Sequence, residues 1–321
     1  MDSLTHVLVG AAIGQLCSKK PLNHRAALIG AFACTVPDFD VFLHSSTNPL
    51  FSELIHRSFS HSLIFIPFGA LIISLLALLC FKSLRPAWRT VGLVSFLALA
   101  SHGLLDACTA YGTQLLWPFS HLRVSWDIIS IVDPVFTGIL LIAVIWSWYT
   151  RKAKPACIGI ILALCYLGFC VWQHQRAEQQ LNQLIVKRHQ IATGLRVLPQ
   201  FGNIYKWDSL YIANNQIYSD IINTPLFGAS SAVNGFVMPE VTRATLPTFI
   251  INTPELFSAY VTFDWFAQGY VAVVKENPYT IVDMRYLRKQ KTISLWGVEF
   301  INDPAPHINK VASVDLGVKR G

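Results

Sequence analysis

The strongest constraint on this fold is a set of long apolar runs confined to the first 174 residues. The runs 62–81, 90–108, 128–148 and 155–172 reach or approach the ~20 residues that cross a hydrocarbon core. Backbone groups in lipid must bond within their own segment, so each run is expected to be a helix. Two shorter runs, 4–17 and 26–36, are expected to be short or tilted spans, or a re-entrant hairpin packed inside the protein. The first is not expected to act as a cleaved leader, because Asp2 precedes it in place of a basic region. Composition agrees with a membrane protein: 53% of the chain is hydrophobic and 13% charged, whereas soluble domains are about a quarter charged.

After residue 174 the composition turns polar, aromatic and β-branched. The expected fold is an α-helical polytopic membrane domain of four to six helices over 1–174, a linker over 175–200, and a mainly antiparallel β (α+β) soluble domain over 201–321. Alternating patterns predict strands at 203–213, 216–222, 259–263, 270–275, 280–286 and 292–300. Turn residues, among them 288–291, separate them, and one helix is expected around 254–260. No catalytic constellation is visible in this part, so a lid or a substrate-positioning role is expected of it.

The net charge of +7 does not point to nucleic acid, because much of it sits in short loops between apolar runs. These are Lys19, Lys20 and Arg25; Lys82, Arg85 and Arg89; and Arg151, Lys152 and Lys154. The positive-inside rule makes such loops cytoplasmic. They fall at alternate connections, so loops 38–60 and 109–127, the N-terminus and the C-terminal domain are expected outside. All seven cysteines precede residue 175 and form no C-x-x-C pair, so they read as small apolar fillers.

That topology gathers the costly polar residues of the apolar region at one face. His6 opens the first run. Asp38 and Asp40 follow Pro37, and two aspartates alternating along an extended segment would point the same way. His56 and His61 stand at the entrance to the next span. His102 and Asp106 form an i, i+4 pair on one helical face, and Asp133 precedes Pro134. Ionisable groups at membrane depth are rare and functional, and His with Asp is a ligand set for catalytic divalent metals. Asp133 is also a good helix N-cap with Pro at the first helical position. Arg57 and Arg123, with Lys206 as a further cation, are candidates to grip an anionic substrate, since guanidinium matches phosphate bidentately. Arg123 equally suits an interfacial anchor beside Trp117 and Trp126. His24 falls on the cytoplasmic side and is excluded.

The opening Met-Asp-Ser-Leu-Thr-His6, Pro37-Asp38-Phe-Asp40, His56-Arg57-x-x-x-His61, His102-Gly-Leu-Leu-Asp106, the stretch from Tyr111 to Phe119 and Ile-Val-Asp133-Pro134 occur in that order. Together they resemble the YdjM-type membrane-bound metal-dependent hydrolases over roughly residues 1–150. Ser60 stands where that pattern has Thr, which keeps a hydroxyl. The resemblance implies an integral protein of the bacterial inner membrane with hydrolase activity. The ligand order is also similar to that of the helical zinc-dependent phospholipases C, an analogy of chemistry and not of fold.

The functional expectation is a multi-pass hydrolase whose metal site and C-terminal domain face the periplasm. His6, Asp38, Asp40, His56, His61, His102, Asp106 and Asp133 are the candidate ligands for two divalent ions, zinc or manganese because histidines predominate. Asp40 or Asp106 would accept a proton, and Arg57 or Arg123 would stabilise developing charge. A site at the outer interface suits a membrane lipid or lipid-linked phosphoester. The rival expectations are a divalent-metal transporter, a metal-binding membrane sensor, or a plain anchor for the external domain.

Overall fold

A computed structural model describes residues 1–17, 24–287, 293–294, 296–302, 306–311 and 314–315. Lys19, Lys20 and the expected turn at 288–291 lie outside them. The chain divides into two units. One comprises 1–43, 55–174 and 199–204, and the other 44–54, 175–198 and 205–321.

The first unit is helical. Helices α1 (Ser3–Cys17) and α2 (His24–Thr35) run into a 3-10 helix at Val36–Phe42. At 15 and 12 residues they fall short of a full span. They pack on each other at backbone distance: a Cβ on Gly10 would run into the carbonyl oxygen of Gly30, and the reverse also holds. Small residues allow that approach, as they do between helices in lipid.

The short α3 (Phe51–Ile55) begins in the second unit and ends in the first. With the 3-10 helix at Phe59–His61 it precedes α4 (Phe65–Cys80) at a 77° bend, so the run expected to be one straight span is a broken one. A 3-10 stretch at Lys82–Ala87 leads into α5 (Trp88–Ala107), and the two together make a candidate span of 26 residues. The expected span at 128–148 starts later, as α6 (Pro134–Thr150), because Asp133 caps it and Pro134 takes its first turn. α7 (Ala153–Lys187), 35 residues long, contains the second candidate span. Among the described residues two helices are thus long and apolar enough to cross a membrane, or three if the bent pair counts as one. Large apolar side chains face outward on α4 and α6, among them Leu71, Leu75, Leu79 and Ile142. Apolar surface this extensive needs lipid or protein against it.

Among the described residues the second unit holds two four-stranded antiparallel sheets and one two-stranded sheet. Strands β1 (Gly194–Gln200), β2 (Asn203–Ala213), β3 (Gln216–Asn223) and β4 (Ser231–Pro239) lie in that order. Helices α8 (Thr248–Asn252) and α9 (Pro254–Ala267) follow. The second sheet has the order β5 (Val271–Glu276), β6 (Tyr279–Asp283), β8 (Gly297–Ile301), β9 (His307–Val311), and the two-residue strands β7 (Ile293–Ser294) and β10 (Val314–Asp315) pair separately. Residues 259–263, expected as a strand, are helical. Pro254 opens α9, and Leu256, Tyr260, Phe263 and Ala267 recur at helical spacing on its buried face. The stretch 175–200, expected as a linker, is the second part of α7 followed by β1.

Candidate metal centre

Four ligand atoms from three parts of the first unit converge. They belong to Asp38, His61, His102 and Asp106, and all lie within 4.8 Å of one another. His102 and Asp106 come from the last two turns of α5, one helical turn apart. Asp38 comes from the 3-10 helix after α2, and His61 from the bend before α4. The His61 and His102 Nε2 atoms are 2.9 Å apart. His61 Nε2 lies 3.2 Å from Asp106 Oδ2 and 3.5 Å from Asp38 Oδ1. His102 Nε2 lies 3.5 Å from each of those two oxygens.

These five separations are close to the edges of a small tetrahedron. Ligands at the ~2.0–2.1 Å typical of zinc and imidazole nitrogen sit ~3.3 Å from each other in tetrahedral geometry. Hydrogen bonds behind the imidazoles fix their tautomers. His102 Nδ1 donates to the Cys34 carbonyl at 2.5 Å. His61 Nδ1 donates to the Ser60 hydroxyl at 2.9 Å, which in turn donates to Asp40 Oδ2 at 2.7 Å. A proton held on each Nδ1 leaves both Nε2 lone pairs aimed at the centre. Asp106 Oδ2 is buried there without a hydrogen-bond partner. Two facing lone pairs and an orphaned carboxylate oxygen fit a cation, and this donor set fits zinc or manganese.

The backbone permits this convergence at one position above all. A Cβ at residue 103 would lie 2.6 Å from the His61 carbonyl oxygen. Gly103 therefore lets the His61 loop lie directly on α5, beside His102.

The other expected residues take different places. Asp40 is a hub behind the four ligand atoms: besides the Ser60 contact, its Oδ1 accepts from His56 Nδ1 at 2.7 Å and its Oδ2 from the Arg57 backbone at 3.2 Å. Burial works against its charge, but the bonds from His56 and His61 outweigh burial and hold the carboxyl below the usual range. The expected extended Asp-Phe-Asp segment is a 3-10 helix instead. At ~120° per residue, positions two apart diverge, so Asp38 faces the centre and Asp40 faces His56 and Ser60. His56 is joined to the site through Asp40 and stands edge-on to the Tyr111 ring at 5.4 Å.

His6 stacks on His102 with ring centroids 3.8 Å apart, and its Nε2 meets the outer oxygen of Asp106, Oδ1, at 3.2 Å. The Met1 amino group contacts that same oxygen. Asp133 serves as N-cap of α6: its Oδ1 accepts from the Val135 and Phe136 backbone and its Oδ2 from the Tyr166 hydroxyl. Those bonds occupy both of its oxygens.

Arg57 adopts a left-handed backbone conformation, φ 61°. Its Nη1 donates to Thr109 Oγ1 at 3.0 Å, and its Nε stands 3.1 Å from Asp106 Oδ2 without a hydrogen-bonding direction. Arg123 donates to the Gly112 carbonyl at 3.0 Å. Both guanidinium groups lie against the Tyr111 ring, at 4.7 and 5.1 Å, as cation–π partners. Lys206 lies on β2, in the second unit. Sequence reading assigned no role to Ser60 beyond its hydroxyl, nor to Tyr111 or the Cys34 carbonyl. Tyr111 was visible only as the start of a motif, and a backbone carbonyl leaves no side-chain signal.

These features define a membrane protein with a buried His/Asp cluster able to hold a metal ion. The chain belongs to the YdjM inner membrane protein family, whose model matches residues 1–177. It is similar to the uncharacterized protein YfhP of Bacillus subtilis (strain 168), 29% identical over 195 residues, which are 58% of each chain. It thus spans a little over half the length of that relative. It is also similar to the inner membrane protein YbcI of Escherichia coli (strain K12), 28% identical over 162 residues, which are 45% of this chain and 89% of YbcI. No solved structure matches the chain.

Proposed function

We propose that this protein is a membrane-bound metal-dependent hydrolase that cleaves a lipid or lipid-linked phosphoester at the outer face of the inner membrane. The observation that carries the reading is the convergence of Asp38, His61, His102 and Asp106 within 4.8 Å, with Asp106 Oδ2 buried there without a hydrogen-bond partner. One ion suits these donors. A second position, around His6, Cys34 and His102, would have to share His102 with the first.

A bound ion of this kind supplies an acidified water and polarises a phosphoryl oxygen. The chain's own groups do the rest. Asp40, through Ser60, orients His61 and at the same time holds His56 by its Nδ1. That leaves His56 Nε2 as a proton acceptor beside the centre, on a side chain 19% exposed amid buried neighbours. Arg57 and Arg123, braced on Tyr111, present positive charge to a phosphate. The outer-face assignment rests on loop charge: Arg85 and Arg89 lie at the start of the 26-residue candidate span, and His102 and Asp106 at its end.

The test is elemental analysis of detergent-purified protein together with hydrolysis of a phosphodiester reporter. The wild type is expected to carry about one zinc or manganese per chain and to lose turnover in chelator. His102→Ala and His61→Ala are expected to lose both metal and turnover. Full hydrolysis in chelator would sink the proposal. Retained metal with no hydrolysis, together with metal uptake into vesicles, would turn it into a transporter.

A further inference from the structure

The second unit has a cavity of its own. It measures about 410 Å³ and is lined by Pro239, Glu240, Thr245, Pro247, Val273, Glu276 and Tyr279, within the size range of small-ligand sites. It lies where the two sheets meet. Glu240 follows β4 directly and bridges to Ala272 of β5, and Glu276 closes β5 just before the turn into β6.

Its chemistry is one-sided. Both charged residues in the lining are carboxylates. Glu240 is half-buried, and burial pushes its pKa up. Asp264 on α9 lies near enough to feel it: burial first, then the Glu240 charge, raises the Asp264 carboxyl to about 6. Burial first, then the Asp264 charge with smaller effects of Tyr279 and Glu240, pushes the Tyr260 hydroxyl up to about 12. Arg243 is close in sequence but lies over the Phe257 ring, at 5.2 Å, and is not part of the lining. Tyr279 supplies the second observation. It lines the cavity, is only 7% exposed, and its hydroxyl has no hydrogen-bond partner. A buried, unpaired hydroxyl is destabilising, and a hydrogen-bonding ligand removes that cost.

We propose that this cavity binds an organic cation carrying primary ammonium groups. The two glutamates neutralise the charge and the Tyr279 oxygen accepts an N–H bond. A bare divalent ion fits less well, because these carboxylates are not among the acidic and histidine groups that converge within 4.8 Å among the described residues. The Tyr279 ring, Val273, the two prolines and the volume suit a ligand with a carbon skeleton. This inference does not depend on the metal centre.

The experiment is calorimetric titration of spermidine into the full-length protein in detergent at fixed ionic strength. The parallel proteins are Glu240→Gln, Tyr279→Phe and the metal-site variant His102→Ala. Saturable binding with Kd below ~1 mM is expected. It should weaken about tenfold or more in Glu240→Gln and several-fold in Tyr279→Phe, which removes only an oxygen. His102→Ala should bind spermidine as the wild type does, which separates this site from the hydrolase reading. No saturable binding, or unchanged affinity in Glu240→Gln, overturns the proposal. So does stoichiometric displacement of spermidine by magnesium chloride at matched ionic strength, which would make the site one for metal ions.

Discussion

Buried charge is arranged in opposite ways in the metal centre and in two ion pairs of the second unit. In those pairs, partners match one to one. Arg285 holds Asp283 bidentately, Nε to Oδ1 at 3.0 Å and Nη2 to Oδ2 at 2.7 Å, with both side chains fully buried. Arg188 does the same for Asp220, at 2.6 and 3.0 Å. In the first unit the centre has too many acceptors. Two imidazole lone pairs and two carboxylates meet, and Asp106 Oδ2 has no hydrogen-bond partner, although Arg57 Nε stands 3.1 Å from it. A closed pair is complete as folded and reads as structure. An excess of acceptors with one sign of need reads as a site. Burial and residue type alone would not separate the two, because both clusters are buried and both use aspartate.

The largest effect should come from breaking a closed pair. Removing one partner of a buried ion pair strands the other charge, at a general cost of roughly 3–5 kcal/mol. Asp283→Ala should therefore lower the thermal or denaturant midpoint of the second unit strongly while the metal content of the protein stays at the wild-type level. His102→Ala should do the reverse, emptying the centre with little change in the unfolding of the β-rich unit. Spectroscopic unfolding and elemental analysis of the same samples decide the matter. If Asp283→Ala also empties the metal centre, the contrast between the units is wrong.

A smaller effect is expected at Gly103. The methyl of Gly103→Ala must displace the His61 carbonyl, since a Cβ there would lie 2.6 Å from it. His61 Nε2 then leaves its position 2.9 Å from His102 Nε2. Disturbing the support of a metal ligand typically costs 10–100-fold in affinity, so metal affinity should fall by about that factor. A chelator competition titration measures it. Gly92, on the same helix, has open space at its Cβ position, and Gly92→Ala should leave the affinity unchanged. Equal losses in the two variants would show that helix propensity, and not the His61 contact, sets the result.

The same contrast explains what was legible in the sequence. His102 and Asp106 could be paired from spacing alone, because an α-helix places i and i+4 on one face. Strand β2 shows its 203–213 limits through alternation, and Asp133-Pro134 announces its capping role. Asp38 and Asp40 look equivalent in sequence and part company only because Pro37 leads a 3-10 helix where an extended segment was expected. The role of Gly103 depends on a loop some 40 residues away lying on it, which no local pattern records. Residues 259–263, Ala-Tyr-Val-Thr-Phe, carry strong strand propensity, yet they sit inside α9 because tertiary burial of one helical face prevails. Strand β4 was missed for the opposite reason: most of its residues are exposed or half-buried, so it lacks a clean alternation.

The smallest expected effect separates the acidic cavity from the closed pairs beside it. Asp264 has no matching cation among the described residues, and its folded pKa of about 6 lies above the ordinary 3.8. The folded state therefore binds the proton more tightly than the unfolded chain does. Its contribution is most favourable below about pH 4, and stability is lost as pH rises through about 6. Asp264→Asn removes the titration while keeping the shape. The variant should unfold at a higher temperature than the wild type at pH 8, with the difference shrinking as pH falls and absent near pH 4. Midpoints measured across that range test the sign. A difference that grows toward acid would mean that Asp264 is stabilised as a charge by a cation, and would place it in the class of closed pairs.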